Sequence, residues 1–189
     1  MAKKNVSAAN DITVITGLSG SGKSTYVDTH YLKNPKGVTV IIDPQKEYLP
    51  NNKYGVMRLR DYSKADEEFE TLAAYLVKDA NIGKIDTLIV DESNVVLPKL
   101  GLKPHARKLI NTLRHCKLKL VLVARRPTDV NLLASELSSH RIIFRATGKN
   151  DIDYLNDIEK GLGDAAFALG PHDYLDYRPG YGWKVNKGK

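Results

Sequence analysis

The residues that could do chemistry begin at Gly17-Leu18-Ser19-Gly20-Ser21-Gly22-Lys23-Ser24-Thr25. The first eight follow the pattern G-x-x-x-x-G-K-[ST], a phosphate-cradling loop. Its glycines allow a tight wrap that turns backbone N–H groups inward, and the helix that follows aims its positive end at the same point. In this reading residues 17–25 hold the phosphates of ATP. Lys23 reaches the β- and γ-phosphates, and the Ser24 hydroxyl ligates Mg²⁺.

A second carboxylate is needed on the far side of that metal. Leu88-Ile89-Val90-Asp91-Glu92 supplies it about 65 residues downstream. A buried apolar strand would deliver Asp91 to the sheet edge where ligands bind in open α/β folds. Asp91 would hold Mg²⁺, and Glu92 would polarise the attacking water as general base. Simple binding gives Glu92 no task, so the pair points to hydrolysis. Asp43 and Glu47, in Asp43-Pro44-Gln45-Lys46-Glu47-Tyr48, are expected at the same edge or in a polar turn. Three arginines are candidates for transition-state charge stabilisation: Arg114 at the end of a helix, and Arg125 and Arg126 after a strand. Dipole compensation would equally explain Arg114, and a nucleic-acid contact the arginine pair.

These positions require a particular scaffold. Apolar β-branched runs alternate with helical patterns, which predicts a mostly parallel sheet covered on both faces. Strands are expected at 12–16, 38–42, 55–59, 87–90, 118–124 and 141–146. Helices are expected at 23–32, 65–79, 104–116, 132–137 and 151–160. Within the second of these, Phe69, Leu72, Ala73, Leu76 and Val77 share one helical face. A terminal hairpin is expected from 165–169 and 174–177 around Gly170-Pro171. The whole chain of 189 residues reads as one domain, with 1–10 as a flexible arm and 165–189 as the hairpin and a basic tail.

The charge is unevenly spread. The formal net charge is +7, yet residues 93–128 contain nine lysines and arginines and no acid. Concentrated positive charge attracts polyanions, nucleic acid above all, although a solvated basic face gives the same pattern. No apolar run is long enough to span a bilayer and no signal peptide is apparent, so the expectation is a cytoplasmic protein without a membrane partner. The single Cys116 excludes an internal disulfide and a cysteine-built zinc site. His30, His105, His140 and His172 lack metal-ligand spacing and read as surface or structural residues. Tyr174, Tyr177, Tyr181 and Trp183 read as the closure of a small hydrophobic edge, with base stacking as the alternative.

The stretch from Leu120 to Leu155, with Arg125-Arg126-Pro127 and then Arg141-Ile142-Ile143-Phe144, resembles the FtsK/HerA superfamily of ring-forming DNA-translocating ATPases. Asp43-Pro44…Glu47-Tyr48 is similar to that superfamily's motif after the second strand. The short length and Arg114-His115 before the next strand resemble its viral genome-packaging branch. The resemblance runs from about Ile12 to Tyr177. It implies a P-loop NTPase fold of the additional-strand, catalytic-glutamate type. It also implies a homo-oligomeric ring on double-stranded DNA, with a portal or capsid protein as a further partner and the host cytoplasm or virion vertex as the setting. The family's arginine finger carries over to Arg114. Its sensor glutamine carries over to Arg125, a departure, because arginine cannot accept a hydrogen bond from water. Two other readings stay open. GLSGSGKST also occurs in adenylylsulfate kinases, which suggests a small-molecule kinase. A nucleotide-dependent assembly or regulatory protein would fit the altered sensor position.

Overall fold

The computed structural model describes residues 11–188, so the expected arm at 1–10 lies outside the described residues. Eight strands form one sheet: β1 (Ile12–Thr16), β2 (Thr39–Ile42), β3 (Gly55–Met57), β4 (Thr87–Val90), β5 (Lys119–Ala124), β6 (His140–Phe144), β7 (Tyr174–Arg178) and β8 (Gly182–Asn186). Their spatial order is β3-β2-β4-β5-β1-β6-β7-β8. The first six of these run parallel, and β7 and β8 close one side antiparallel. This is the α/β, mostly parallel architecture expected of a P-loop NTPase.

The helices are α1 (Lys23–Val27), α2 (Ala65–Leu76), α3 (Ser93–Val96), α4 (Pro104–Cys116), α5 (Leu132–Glu136), α6 (Lys149–Ile158) and α7 (Leu162–Phe167). The turns after α1, Asp28–Leu32, widen to a π-helix. Strand side chains alternate between the two faces, and both faces are covered. Ile12, Val14, Leu88, Val90, Leu120 and Leu122 pack on one side with Phe69 of α2 and Leu109 and Leu113 of α4. Ile15, Ile41, Ile89 and Val121 pack on the other side with Val27 and Leu32. Strands buried on both faces need continuous apolar runs, which is why the central ones were readable from sequence.

The C-terminal region corrects the expected elements. Residues 162–167 form α7, and the hairpin is β7–β8, one element later than expected. Its turn is Arg178-Pro179-Gly180-Tyr181: the Tyr181 N–H donates to the Arg178 carbonyl at 3.0 Å, and Gly180 has φ 79°. Proline and glycine are the residues such a turn requires. The α6–α7 corner is tight for a different reason. A Cβ on Gly163 would collide with the backbone carbonyl of Ile152, so only glycine fits there.

Candidate functional site

The register of the parallel strands decides which residues meet. Thr16 lies opposite Ala124, Val90 opposite Leu122, and Ile42 opposite Val90. The residues that follow, Gly17, Arg125, Asp91 and Asp43, therefore leave the sheet along a single carboxyl edge. Asp91 and Glu92 stand across that edge from the phosphate loop, and β1, which carries the loop, sits between β5 and β6.

The loop is built for close approach. A Cβ on Gly17 would lie 2.5 Å from the Phe144 Cβ, and Gly22, which opens α1, has φ 107°. Lys23 folds back on the loop, its ammonium donating to the carbonyls of Gly17 at 2.8 Å and Leu18 at 3.0 Å. Burial pulls the Lys23 pKa below its usual value, opposed by the nearby charges of Asp91 and Glu92.

Asp91 is 7% exposed. Its Oδ1 accepts the Glu92 N–H at 2.9 Å. Burial pushes its carboxyl pKa up to about 6, and repulsion from Glu47, Glu92 and Asp43 adds to the rise. Glu92 has φ 44° and ψ 51°, a left-handed backbone that a non-glycine residue adopts at a cost. Its Oε1 accepts from Arg125 Nε at 3.0 Å. Arg125 thus lies directly against the candidate general base.

Asp43 is fully buried and accepts the backbone N–H groups of Glu47 and Tyr48, each at 3.0 Å. It shapes the loop after β2, and its Coulombic effect on Asp91 places it at the same edge. Both parts of the sequence expectation, polar turn and edge position, apply to it.

The chemistry of this edge suits Mg²⁺. Asp43, Glu47, Asp91 and Glu92 concentrate negative charge around a carboxyl that burial already holds toward its neutral form. Buried hydroxyls of Ser21, Tyr48 and Ser93 have no hydrogen-bond partner. No group of three or more His, Cys, Asp or Glu side chains among the described residues makes a closed metal cage. A cation here would be held by the Asp91 carboxylate and the Ser24 hydroxyl with phosphate oxygens and water, oxygen donors of the kind Mg²⁺ takes.

The other arginines separate. Arg126 Nε donates to Asp151 Oδ2 at 2.9 Å, and Thr128 Oγ1 donates to Asp151 Oδ1 at 2.7 Å. This pair ties the turn after β5 to the first turn of α6. Arg114 lies at the opposite edge of the sheet, beside Asp11, Asp86, Lys117 and Lys119, at the amino ends of β1, β4 and β5. It cannot reach the phosphate loop of its own chain.

Folding also rearranges the charge. Of the nine cations in 93–128, Lys103 pairs with Asp66, Lys119 with Asp11, Arg125 with Glu92 and Arg126 with Asp151. Among the described residues, Arg107, Lys108 and Arg114 on the outer side of α4 form no ion pair and stay exposed.

One feature has only a weak sequence signal. Beside Gly22 and Thr25 lies an open cavity of about 410 Å³, lined by Tyr26, His30, Phe144, His172 and Tyr174 among others. Tyr26 and His30 stack with ring centroids 3.9 Å apart, and Tyr26 meets Tyr174 edge-on at 5.2 Å. From sequence these histidines read as surface or structural residues and Tyr174 as edge closure. Only the i, i+4 spacing of Tyr26 and His30 directly after the loop hinted at a shared face.

No family profile matches this sequence, and no curated protein matches it. Solved structures do. The genome packaging NTPase B204 from Sulfolobus turreted icosahedral virus 2, in complex with ATP-gammaS, superposes with a TM-score of 0.79 at 24% identity, covering 95% of this chain and 98% of that one. B204, the DNA-packaging ATPase from Sulfolobus turreted icosahedral virus, gives 0.79 at 23% identity over 96% and 98%. The N-terminal domain of zonular occludens toxin from Neisseria meningitidis gives 0.60 at 16% identity over 96% of each chain. At these identities the likeness carries the fold. No helix among the described residues is long and apolar enough to cross a membrane.

Proposed function

We propose that this chain is an ATPase that moves double-stranded DNA, of the viral genome-packaging kind, acting as a homo-oligomeric ring. The observation that carries the reading is the convergence of Lys23, Ser24, Asp91 and Glu92 on one sheet edge, in a fold shared with packaging NTPases. In this reading Lys23 leaves the carbonyls of Gly17 and Leu18 for phosphate oxygens. The N–H groups of residues 17–25 and the start of α1 cradle the remaining phosphate charge. Mg²⁺ bound by Ser24 and Asp91 would neutralise charge on the phosphates. Glu92 takes the proton of the attacking water, and Arg125 restrains it through their ion pair until the triphosphate offers the guanidinium a competing anion. The aromatic cavity beside Thr25 holds the base.

Arg114 supports the ring. It faces away from its own phosphate loop, so a role as arginine finger requires a neighbouring copy to receive it. Arg107, Lys108 and Arg114 leave a basic strip on α4 suited to a polyanion. A portal or capsid protein would anchor such a ring at a virion vertex.

The test is ATPase rate against protein concentration, with and without double-stranded DNA. A ring motor gives a rate per subunit that rises with concentration and with DNA. The DNA effect falls steeply with salt as counterion release is suppressed. A rate indifferent to both, with phosphate passed to a small acceptor, would make the chain a kinase. Binding without turnover would make it a regulatory protein.

A further inference from the structure

Tyr48 belongs to no assigned motif role, yet it is the best-positioned unused donor at the site. Its ring is 9% exposed and packs with Ile41, Ile89 and Val27. Its backbone is held from two sides: the N–H donates to Asp43 Oδ2 at 3.0 Å, and the carbonyl accepts from Arg58 Nη2 at 3.3 Å. Backbone and ring position are therefore set before any ligand binds, and the hydroxyl hydrogen stays free to turn toward an acceptor.

That hydroxyl is buried and has no hydrogen-bond partner. Its neighbour is the Ser24 hydroxyl, near enough to act on the phenol without completing a hydrogen bond, and the Asp91 carboxyl lies within Coulombic reach. At neutral pH a phenol keeps its proton, so the group is a donor. Burying a donor with no acceptor is unfavourable, and this one points among the groups that would surround a metal-bound triphosphate.

We propose that the Tyr48 hydroxyl is a ligand-binding donor, giving its hydrogen to an anionic oxygen at the triphosphate centre beside Ser24 and Asp91. This rests on the nucleotide-binding part of the function proposed above. The oxygen belongs either to the terminal phosphate or to the β-phosphate, and the two are separable.

The experiment is Tyr48→Phe in the full chain, which keeps the ring and removes only the hydroxyl. Without nucleotide, the urea midpoint should be unchanged or higher, because no bond is lost. Affinities for ATP-gammaS and ADP, each with and without Mg²⁺, are then measured for both proteins. ATP-gammaS should bind roughly ten-fold more weakly to the variant, the scale of losing a hydrogen bond to a charged group. A penalty that persists without Mg²⁺ and vanishes with ADP identifies the terminal phosphate. A penalty shared with ADP identifies the β-phosphate, and one seen only with Mg²⁺ means that the metal draws the phosphate within reach. Equal affinities in every arm would overturn the proposal, as would a lower urea midpoint of the ligand-free variant. Binding without hydrolysis by the wild type would sink the motor reading alone. A wild type that binds no nucleotide overturns both.

Discussion

Replacing Asp91 with asparagine tests whether the site stores electrostatic strain that a cation relieves. The folded carboxyl titrates at about 6 against an ordinary 3.8. The native state therefore keeps a proton that the unfolded chain has already lost between those values. A folded pKa that is raised means stability is fully present below the ordinary value and is lost as pH rises through the folded one. At roughly 1.4 kcal/mol per pH unit of separation, the ionised carboxylate costs about 3 kcal/mol above pH 6. Asp91 is only 7% exposed, so solvent screens little of this. Asparagine is nearly isosteric and keeps an Oδ1 to accept the Glu92 N–H, so it removes the charge and little else. Urea unfolding at pH 4 and pH 8, without nucleotide or metal, is the assay. The variant should match the wild type at pH 4 and exceed it by up to about 3 kcal/mol at pH 8. Millimolar Mg²⁺ with ATP-gammaS should narrow that gap from the wild-type side. A variant no more stable than wild type at pH 8 would show that Asp91 is not held against its charge, and the argument for a cation at this edge would fail with it.

Arg125→Gln frees Glu92 from its ion pair and restores a side chain able to bind water. DNA-independent turnover should rise roughly two- to five-fold, the scale of an exposed ion pair, and a fall would assign Arg125 to the phosphates instead. Arg114→Ala should lower turnover by about a hundred-fold or more with nucleotide affinity intact. Mixing it with Glu92→Gln subunits should restore part of the rate, because one copy then supplies the finger and the next the base; no complementation would argue against a trans role. Tyr26→Ala opens the aromatic cavity and should weaken ATP binding about ten-fold by equilibrium fluorescence titration, given the value of a stacked base, whereas unchanged affinity would move the base elsewhere. Gly163→Ala drives a methyl into the Ile152 carbonyl and should cost about 2 kcal/mol in urea unfolding, with a neutral result meaning that the α6–α7 corner yields.

The central strands and the phosphate loop were readable because their signals are local. β1, β2, β4 and β5 are largely buried on both faces and run mostly apolar, and Gly17, Gly22, Lys23 and Ser24 form a pattern within eight consecutive residues. The hairpin was misplaced because residues 165–169 are as apolar as a strand. What makes them helix α7 and its exit is packing with Leu155, Leu175 and Tyr177, partners remote in sequence. The acid-free span from 93 to 128 looked like nine available cations, yet four meet acids drawn from residues 11, 66, 92 and 151. Charge density along a chain says nothing about what folds against it.

By itself, then, the sequence determined a G-x-x-x-x-G-K-S stretch and an Asp-Glu pair, since both are written in consecutive residues. Only the tertiary structure decided what surrounds them. Strand register put Asp43, Asp91 and Arg125 on one edge with Gly17, turned Arg125 onto Glu92 and Arg126 onto Asp151, and left Arg114 at the far edge. It also brought Tyr26, Phe144 and Tyr174 into one cavity and buried the Tyr48 hydroxyl beside Ser24. Each of these depends on distances between residues tens of positions apart, which the strand pairing across the sheet sets and no local pattern encodes.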